Sequence, residues 1–209
     1  MNRPKVVIIG GGFGGLNAAK SLKKASVDIL LIDKTNHHLF QPLLYQVATA
    51  ALSPGNIAAP IRNVLAEQAN TSVLMANIVS IDKKRNVVIA ENGEEFAFDF
   101  LILAPGASHA YFGHTDWEEL APGLKTLNDA LRIRERILLS FERAERCSNP
   151  QEATRFLRFV VVGAGPTGVE MAGAIAEIAH KSLIDNFRNI QPEQTQVYLF
   201  EGADQVLPS

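Results

Sequence analysis

Cysteine is almost absent. Cys147 is the only one in 209 residues. A single thiol excludes an internal disulfide, a four-cysteine metal centre and a CxxC or CxxxxC redox pair; it reads as a bystander near a helix end. Long apolar runs are missing too, and none approaches the roughly 20 residues a membrane-crossing helix needs. Charge of one sign is lacking: the net charge of −2 offers no footprint for nucleic acid. The opening Met1-Asn2-Arg3-Pro4-Lys5 runs straight into an apolar stretch, so no signal peptide is expected. The expected compartment is the cytoplasm, or a face exposed to it. What is present is ordinary for a globular protein: 47% hydrophobic and 20% charged residues, in a chain long enough for one large domain or two small ones.

The stretch from Lys5 to Asp33 organises the rest. Val6 to Ile9 is short and rich in β-branched side chains, which suits a buried parallel strand. Gly10-Gly11-Gly12-Phe13-Gly14-Gly15 follows, then the helical pattern from Leu16, then a second apolar run, Val27 to Ile32, that ends on Asp33. Gly10 allows a tight turn out of the strand. Gly12 has no Cβ, so a diphosphate could come close to the backbone. Gly15 lets the helix lie close to the sheet. The first N–H groups of that helix lack internal partners and sit at the positive end of its dipole, so an anion satisfies both. Asp33, at a strand tip, could accept from both hydroxyls of a ribose. The motif implies a dinucleotide; the alternative is a plain glycine turn.

Lys34 to Gln46 mixes polar and apolar side chains around Pro42, as a loop over a ligand would. Gln46 could bond a polar ring edge, with Tyr45 or Phe40 against a ring face. His37 and His38 are adjacent and so should point apart, and with no third ligand near them no metal is expected. Helical spacing is expected over Ile57 to Ala69, through Ile61, Val64 and Leu65, and a strand over Thr71 to Asp82. Lys83-Lys84-Arg85-Asn86 reads as a solvated hairpin tip. Val87 to Ala90 and Phe96 to Phe98 complete an antiparallel meander set between parallel strands. The apolar run from Asp99 to Ala107, ending in Pro105-Gly106, would rejoin the parallel sheet as a further strand, with Gly106 near the ligand at its carboxyl end. His109 to Pro122 is an aromatic-bearing loop. Thr126 and Asp129 have capping-box spacing, and the helix they open should run to about Arg146, bridge two domains and stop at Asn149-Pro150.

The opening pattern then returns. Phe159 to Val162 leads into Gly163-Ala164-Gly165-Pro166-Thr167-Gly168 and a helix rich in small residues. After an insertion over residues 181–195, Gln196 to Phe200 reads as the next strand, and Glu201 stands where Asp33 stood. Two such units suggest two nucleotide cofactors held for electron transfer between them. A carboxylate at Glu201 accepts from a free 2′-hydroxyl and repels a 2′-phosphate, and no arginine lies in Gly202-Ala203-Asp204-Gln205. NADH is therefore favoured over NADPH.

On Val7 to Gly15, Leu39 to Ile61, Leu101 to Gly113, Leu124 to Arg146 and Val160 to Glu170, the chain resembles the N-terminal part of a type II NADH dehydrogenase, the single-subunit NADH:quinone oxidoreductase. The resemblance implies an α/β fold: two Rossmann-like dinucleotide-binding units with an inserted antiparallel β-meander. An FAD-binding domain would occupy residues 1–122, a connecting helix 123–157 and an NADH-binding domain 158–209. By the same resemblance, Gly10, Gly12, Gly14 and Gly15 flank the FAD diphosphate and Asp33 its ribose. Gln46 sits near the flavin ring and Gly106 on a second contact strand. Lys34, Pro42, Ile78 and Ala104 complete that cofactor-binding set. Gly163, Gly165, Thr167 and Gly168 hold the NADH diphosphate and Glu201 its ribose. Glu170, with Gln46, is the catalytic candidate, placed near flavin and nicotinamide; its alternative is a first-turn acid that complements the helix dipole. The implied reaction passes a hydride from NADH to FAD and then two electrons to a membrane quinone, without pumping protons.

The resemblance also implies that the chain is a C-terminal truncation. The strands, quinone site and amphipathic helices beyond Ser209 would complete the FAD domain and dock the protein on the cytoplasmic face of the membrane. The same resemblance admits a homodimer. The 209 residues alone would be cytoplasmic, inactive and weak in FAD binding. Sulfide:quinone oxidoreductases and disulfide reductases share the plan but need a cysteine pair. A ferredoxin or rubredoxin reductase does not, and stays open, as does a non-catalytic dinucleotide-binding fragment.

Overall fold

The first strand is a run of valine and isoleucine because both of its faces are covered. The computed structural model describes residues 3–207, in two compact units. The first takes in the chain up to Leu39 together with Ala58–Ser108; the second takes Phe40–Ile57 and the chain from His109 onward.

In the first unit, β1 (Lys5–Ile9), helix α1 (Phe13–Ser21) and β2 (Asp28–Asp33) form a βαβ turn. β3 (His37–Leu39) pairs antiparallel with β4 (Ala58–Pro60). β5 (Thr71–Met75) extends the main sheet. β6 (Ile78–Asp82), β7 (Val87–Ala90) and β8 (Glu95–Ala97) form the antiparallel meander, and β9 (Phe100–Leu103) returns to the main sheet. That sheet has the order β5-β2-β1-β9 and is parallel throughout. Val6 and Ile8 pack on one side with Leu16, Ala19, Ile29, Leu31, Ile61 and Leu65. Val7 packs on the other with Ile32 and Val88. A strand buried on both faces cannot alternate polar and apolar residues. Each fully buried side chain here contributes about 1.5–3 kcal/mol.

Two sequence expectations fail in instructive ways, and a third proves incomplete. Residues 71–82 are not one strand. The chain changes sheets at Ala76-Asn77: the Ala76 N–H bonds the Asp33 carbonyl at 2.9 Å, while the Asn77 carbonyl accepts from Glu91 in the meander at 2.8 Å. Residues 57–69 are not one helix. Pro60 has no N–H and pushes Ala59 into extended geometry, so β4 intervenes and only a single turn, Ile61–Val64, follows. Ile61 and Leu65 are buried as their spacing implied; the spacing simply does not extend into a helix. Asn149-Pro150 does not merely stop a helix. Asn149 caps another, over Pro150–Phe156, by accepting from Gln151 N–H at 2.9 Å.

In the second unit, helix α2 (Leu127–Glu145) starts in a full capping box: Asp129 N–H donates to Thr126 Oγ1 at 3.2 Å, and Thr126 N–H donates to Asp129 Oδ2 at 2.8 Å. A short helix, Leu44–Ala48, packs against α2. Phe141 of α2 is fully buried between Phe159 and Phe187, with ring centroids 5.6 and 6.1 Å away. At the end of α2, the Glu145 carboxylate accepts from the backbone N–H groups of Arg188, Asn189 and Ile190 and so ties down the insertion before the last strand. Helix α3 (Pro150–Phe156) leads to β10 (Arg158–Val162), helix α4 (Pro166–Glu177) and β11 (Gln196–Phe200), with β10 and β11 parallel. Among the described residues, no helix is long and apolar enough to cross a membrane.

Candidate functional site

The two glycine loops are built alike. Gly10 leaves β1 with φ +102, and Gly163 leaves β10 with φ +95, a region open to glycine and hostile to other residues. Gly10 N–H donates to the Ile32 carbonyl, and Gly163 N–H to the Phe200 carbonyl, each at 2.8 Å. Each loop is thereby locked to the neighbouring parallel strand. A Cβ on Gly15 would fall on the Gly10 carbonyl, and one on Gly168 on the Gly163 carbonyl. Each helix therefore lies as close to its loop as backbone allows. By contrast, a Cβ on Gly12 or Gly165 would meet nothing within 4 Å. These glycines cap α1 and α4 and, among the described residues, adjoin space that no side chain fills. The cradle therefore fits a diphosphate, by shape and by the unpaired amides at each helix start.

The acids match as well. Asp33 Oδ2 accepts from the N–H of Gly11 at 2.5 Å, while Oδ1 accepts from Thr35 N–H at 2.6 Å and Thr35 Oγ1 at 2.7 Å. Glu201 Oε2 accepts from the N–H of Ala164 at 2.6 Å, while Oε1 accepts from Gly202 and Ala203 N–H at 2.7 and 3.2 Å. The Ala164 bond, followed by those from Ala203 and Gly202, holds the Glu201 carboxyl below the usual range. In each case one oxygen reaches back to the glycine loop and the other is held by the turn after the strand.

The middle carbonyl of each loop is held too. His38 Nδ1 lies 3.0 Å from the Gly11 carbonyl, and the His38 ring meets Phe13 edge-on at 5.0 Å. In the second unit, the backbone N–H of Leu207 donates to the Ala164 carbonyl at 2.8 Å.

Gly10, Gly12, Gly14, Gly15, Asp33 and Ala104 gather in the first unit at the carboxyl ends of β1, β2 and β9. The Ala104 carbonyl presses on Gly10, where a Cβ would collide with it. Gly106 follows with φ +76. Lys34 is exposed just past Asp33, and Ile78 is half-buried at the start of β6. Pro42 and Gln46 belong to the second unit. The expected loop over residues 34–46 is instead β3, a 3-10 turn at Gln41–Leu43 holding Pro42, and the short helix that carries Gln46. Gln46 Nε2 donates to Tyr45 Oη at 3.1 Å. Gly163, Gly165, Thr167, Gly168 and Glu201 gather around the start of α4. Glu170 is exposed on that helix, and its first turn holds no acid. The dipole effect fades within the first turn, so the dipole-complementing alternative for Glu170 has little support.

Thr35, His38 and Leu207 were not read from the sequence as site residues. Thr35 had a signal: a threonine two residues after a strand-end aspartate is a common partner in a local turn. His38 was weighed only as a metal ligand. His37 Nδ1 lies 3.3 Å from Asn36 Oδ1, so the two rings serve different partners. Cys147 donates to the Arg143 carbonyl at 3.3 Å near the end of α2.

Comparison with known proteins gives these features a family. The family model described as pyridine nucleotide-disulphide oxidoreductase matches residues 4–209. A type II NADH:quinone oxidoreductase, Ndh, from Mycobacterium tuberculosis is 53% identical over 99% of this chain and 45% of its own length. The structure of NDH2 from Plasmodium falciparum in complex with NADH superposes with a TM-score of 0.88 at 27% identity, over 99% of this chain and 43% of that one. A ferredoxin reductase from Rhodopseudomonas palustris superposes with a TM-score of 0.72 at 22% identity, over 98% of this chain and 44% of that one, a likeness of fold alone. The chain thus spans less than half the length of each of these relatives.

Proposed function

The chain belongs to the pyridine nucleotide-disulphide oxidoreductase family, and from that premise we propose that it carries the two dinucleotide-binding units of a type II NADH:quinone oxidoreductase. The observation that carries this reading is the duplicated loop: two open glycine cradles, each backed by a strand-tip carboxylate with one oxygen on the loop. FAD belongs to the first unit and NADH to the second.

In this reading Gly10, Gly12, Gly14 and Gly15 leave the amides of α1 bare for the FAD diphosphate, and Asp33 takes its ribose. Lys34, Ile78, Ala104 and Gly106 line the rest of the flavin. Gly163, Gly165, Thr167 and Gly168 do the same for NADH, and Glu201 takes the adenosine ribose. A negative Glu201 disfavours a 2′-phosphate. Gln46 and Glu170 orient the reacting rings. When bound, the flavin supplies the redox chemistry that links a two-electron donor to a quinone; the protein supplies placement and electrostatics. A quinone acceptor agrees with the names of the relatives more than 50% identical to the chain. Association with the cytoplasmic face of a membrane, and pairing into a homodimer, extend the same proposal.

The test is anaerobic rapid mixing of FAD-loaded full-length protein with NADH, followed by quinone or ferredoxin. Bleaching of the flavin absorbance by NADH and its return with quinone support the reading. Return with ferredoxin alone would assign a ferredoxin reductase, and no bleaching would leave a non-catalytic binding module.

A further inference from the structure

We infer that His38 is a positioning residue for the first glycine loop: it donates from Nδ1 to the Gly11 carbonyl and thereby aims the Gly12 N–H at the dinucleotide diphosphate. The inference rests on the reading above that the first unit takes FAD.

The argument begins with the peptide plane. The Gly11 carbonyl and the Gly12 N–H belong to one peptide group, which is trans, as all described peptide bonds are. In a trans peptide the carbonyl and the N–H point in opposite directions. Whatever fixes the carbonyl therefore fixes the N–H. A carbonyl oxygen only accepts, so at 3.0 Å the His38 ring must carry its hydrogen on Nδ1. Phe13, edge-on to the ring at 5.0 Å, fixes its plane. The other side of Gly11 is held by Asp33, which accepts its N–H. Gly11 has no side chain and wide conformational freedom; these two bonds remove it. Among the described residues, the Gly12 N–H has no acceptor, and a Cβ on Gly12 would meet nothing within 4 Å.

The second unit supplies an independent instance. There the matching carbonyl, on Ala164, accepts from the Leu207 N–H at 2.8 Å, while the matching N–H donates to Glu201. Both loops thus have the middle residue held at its nitrogen and at its oxygen. One oxygen is held by backbone and the other by an imidazole. A bond that both units make with different donors points to the loop carbonyl as the thing that needs holding.

Three variants separate the donor from the ring. His38→Phe keeps a ring against Phe13 and has no donor. His38→Asn loses the ring, but its Nδ2 stands the same number of bonds from Cα as His Nδ1. His38→Leu lacks both and serves the same comparison as Phe should that chain not fold. FAD binding to the full-length protein is followed by flavin fluorescence, and the hydrogen on the wild-type ring is located by long-range nitrogen–proton NMR. The expected result is a hydrogen on Nδ1, a dissociation constant raised about tenfold by Phe or Leu, and one within about twofold of wild type for Asn. A hydrogen on Nε2 alone, equal binding by the Phe and wild-type chains, or an Asn chain as weak as Phe would overturn the inference and leave FAD binding intact. Failure of the wild-type chain to bind FAD at any concentration would overturn the underlying reading and the inference with it.

Discussion

The N–H of Gly11 donates to Asp33 Oδ2 at 2.5 Å, and this bond limits what the acid has left to give. An ionised carboxylate has about four acceptor positions. Three are taken, one by Gly11 and two by Thr35. A ribose that offers two hydroxyls must therefore share or displace an internal bond. Glu201 stands in the same position, with Ala164 on one oxygen and Gly202 and Ala203 on the other. In the proposed reading, ligand and loop would compete for the same acid in both units.

From this follows a specificity prediction. Glu201→Gln removes the charge and half of the acceptors. NADH affinity should fall about tenfold, or ~1.4 kcal/mol, while NADPH affinity stays level or rises. Titration of wild type and variant with both nucleotides decides it: an unchanged ratio of affinities counts against the role of Glu201.

A pH prediction comes from the same residue. Backbone donation from Ala164, Ala203 and Gly202 lowers the folded-state pKa of Glu201 below its ordinary 4.5. A lowered carboxylate pKa stabilises the loop above the unfolded value, and that support is lost as pH falls through the folded value. The window therefore lies below pH 4.5, and neutral conditions leave the loop fully held. NMR titration should show the Glu201 carboxyl and the Ala164 N–H shifting together in that range. Movement of the Ala164 signal nearer neutrality would point to another group.

The glycines should divide into two classes. Gly15→Ala and Gly168→Ala drive a methyl into a backbone carbonyl that cannot retreat. Each should cost about 2 kcal/mol or more, or prevent folding of its unit. Gly12→Ala meets only open space at an ordinary φ. It should leave stability within about 0.5 kcal/mol and weaken FAD binding. Thermal melts beside FAD titrations separate the classes, and equal destabilisation by all three would refute the distinction.

Helix capping gives a prediction independent of ligands. Thr126→Ala removes the acceptor of the α2 capping box, and Asn149→Ala that of α3. Each should lower stability by about 1 kcal/mol in denaturant titrations. No change on Thr126→Ala would mean that packing of Phe141 and Ile137 sets the helix start.

Much of this was legible in the sequence where local chemistry and fold agree. Gly10, Gly15 and Asp33 occupy positions that strand, turn and helix demand in a fixed order, so their spacing sufficed. The capping box at Thr126 was legible for the same reason. What escaped depended on partners far along the chain. The break at Ala76-Asn77 exists because two sheets compete for one extended segment, and no residue there announces it. His38 is invisible as a loop-holding residue without knowing that β3 passes the Gly11 carbonyl. Proline gave mixed signals: Pro60 interrupted an apolar pattern that spacing alone extended, and Pro150 opened a helix where it was read as an end. Gln46 lay in what read as a loop, because a helix of five residues leaves little periodicity to detect.

The most direct test asks whether the two loops hold different nucleotides. Hydrogen exchange by mass spectrometry on the full-length protein, with saturating FAD or saturating NADH in separate samples, reads each loop by itself. The account predicts that FAD slows exchange over residues 10–16 and NADH over residues 163–169. Protection of one loop by both nucleotides, or of neither loop by either, would contradict it.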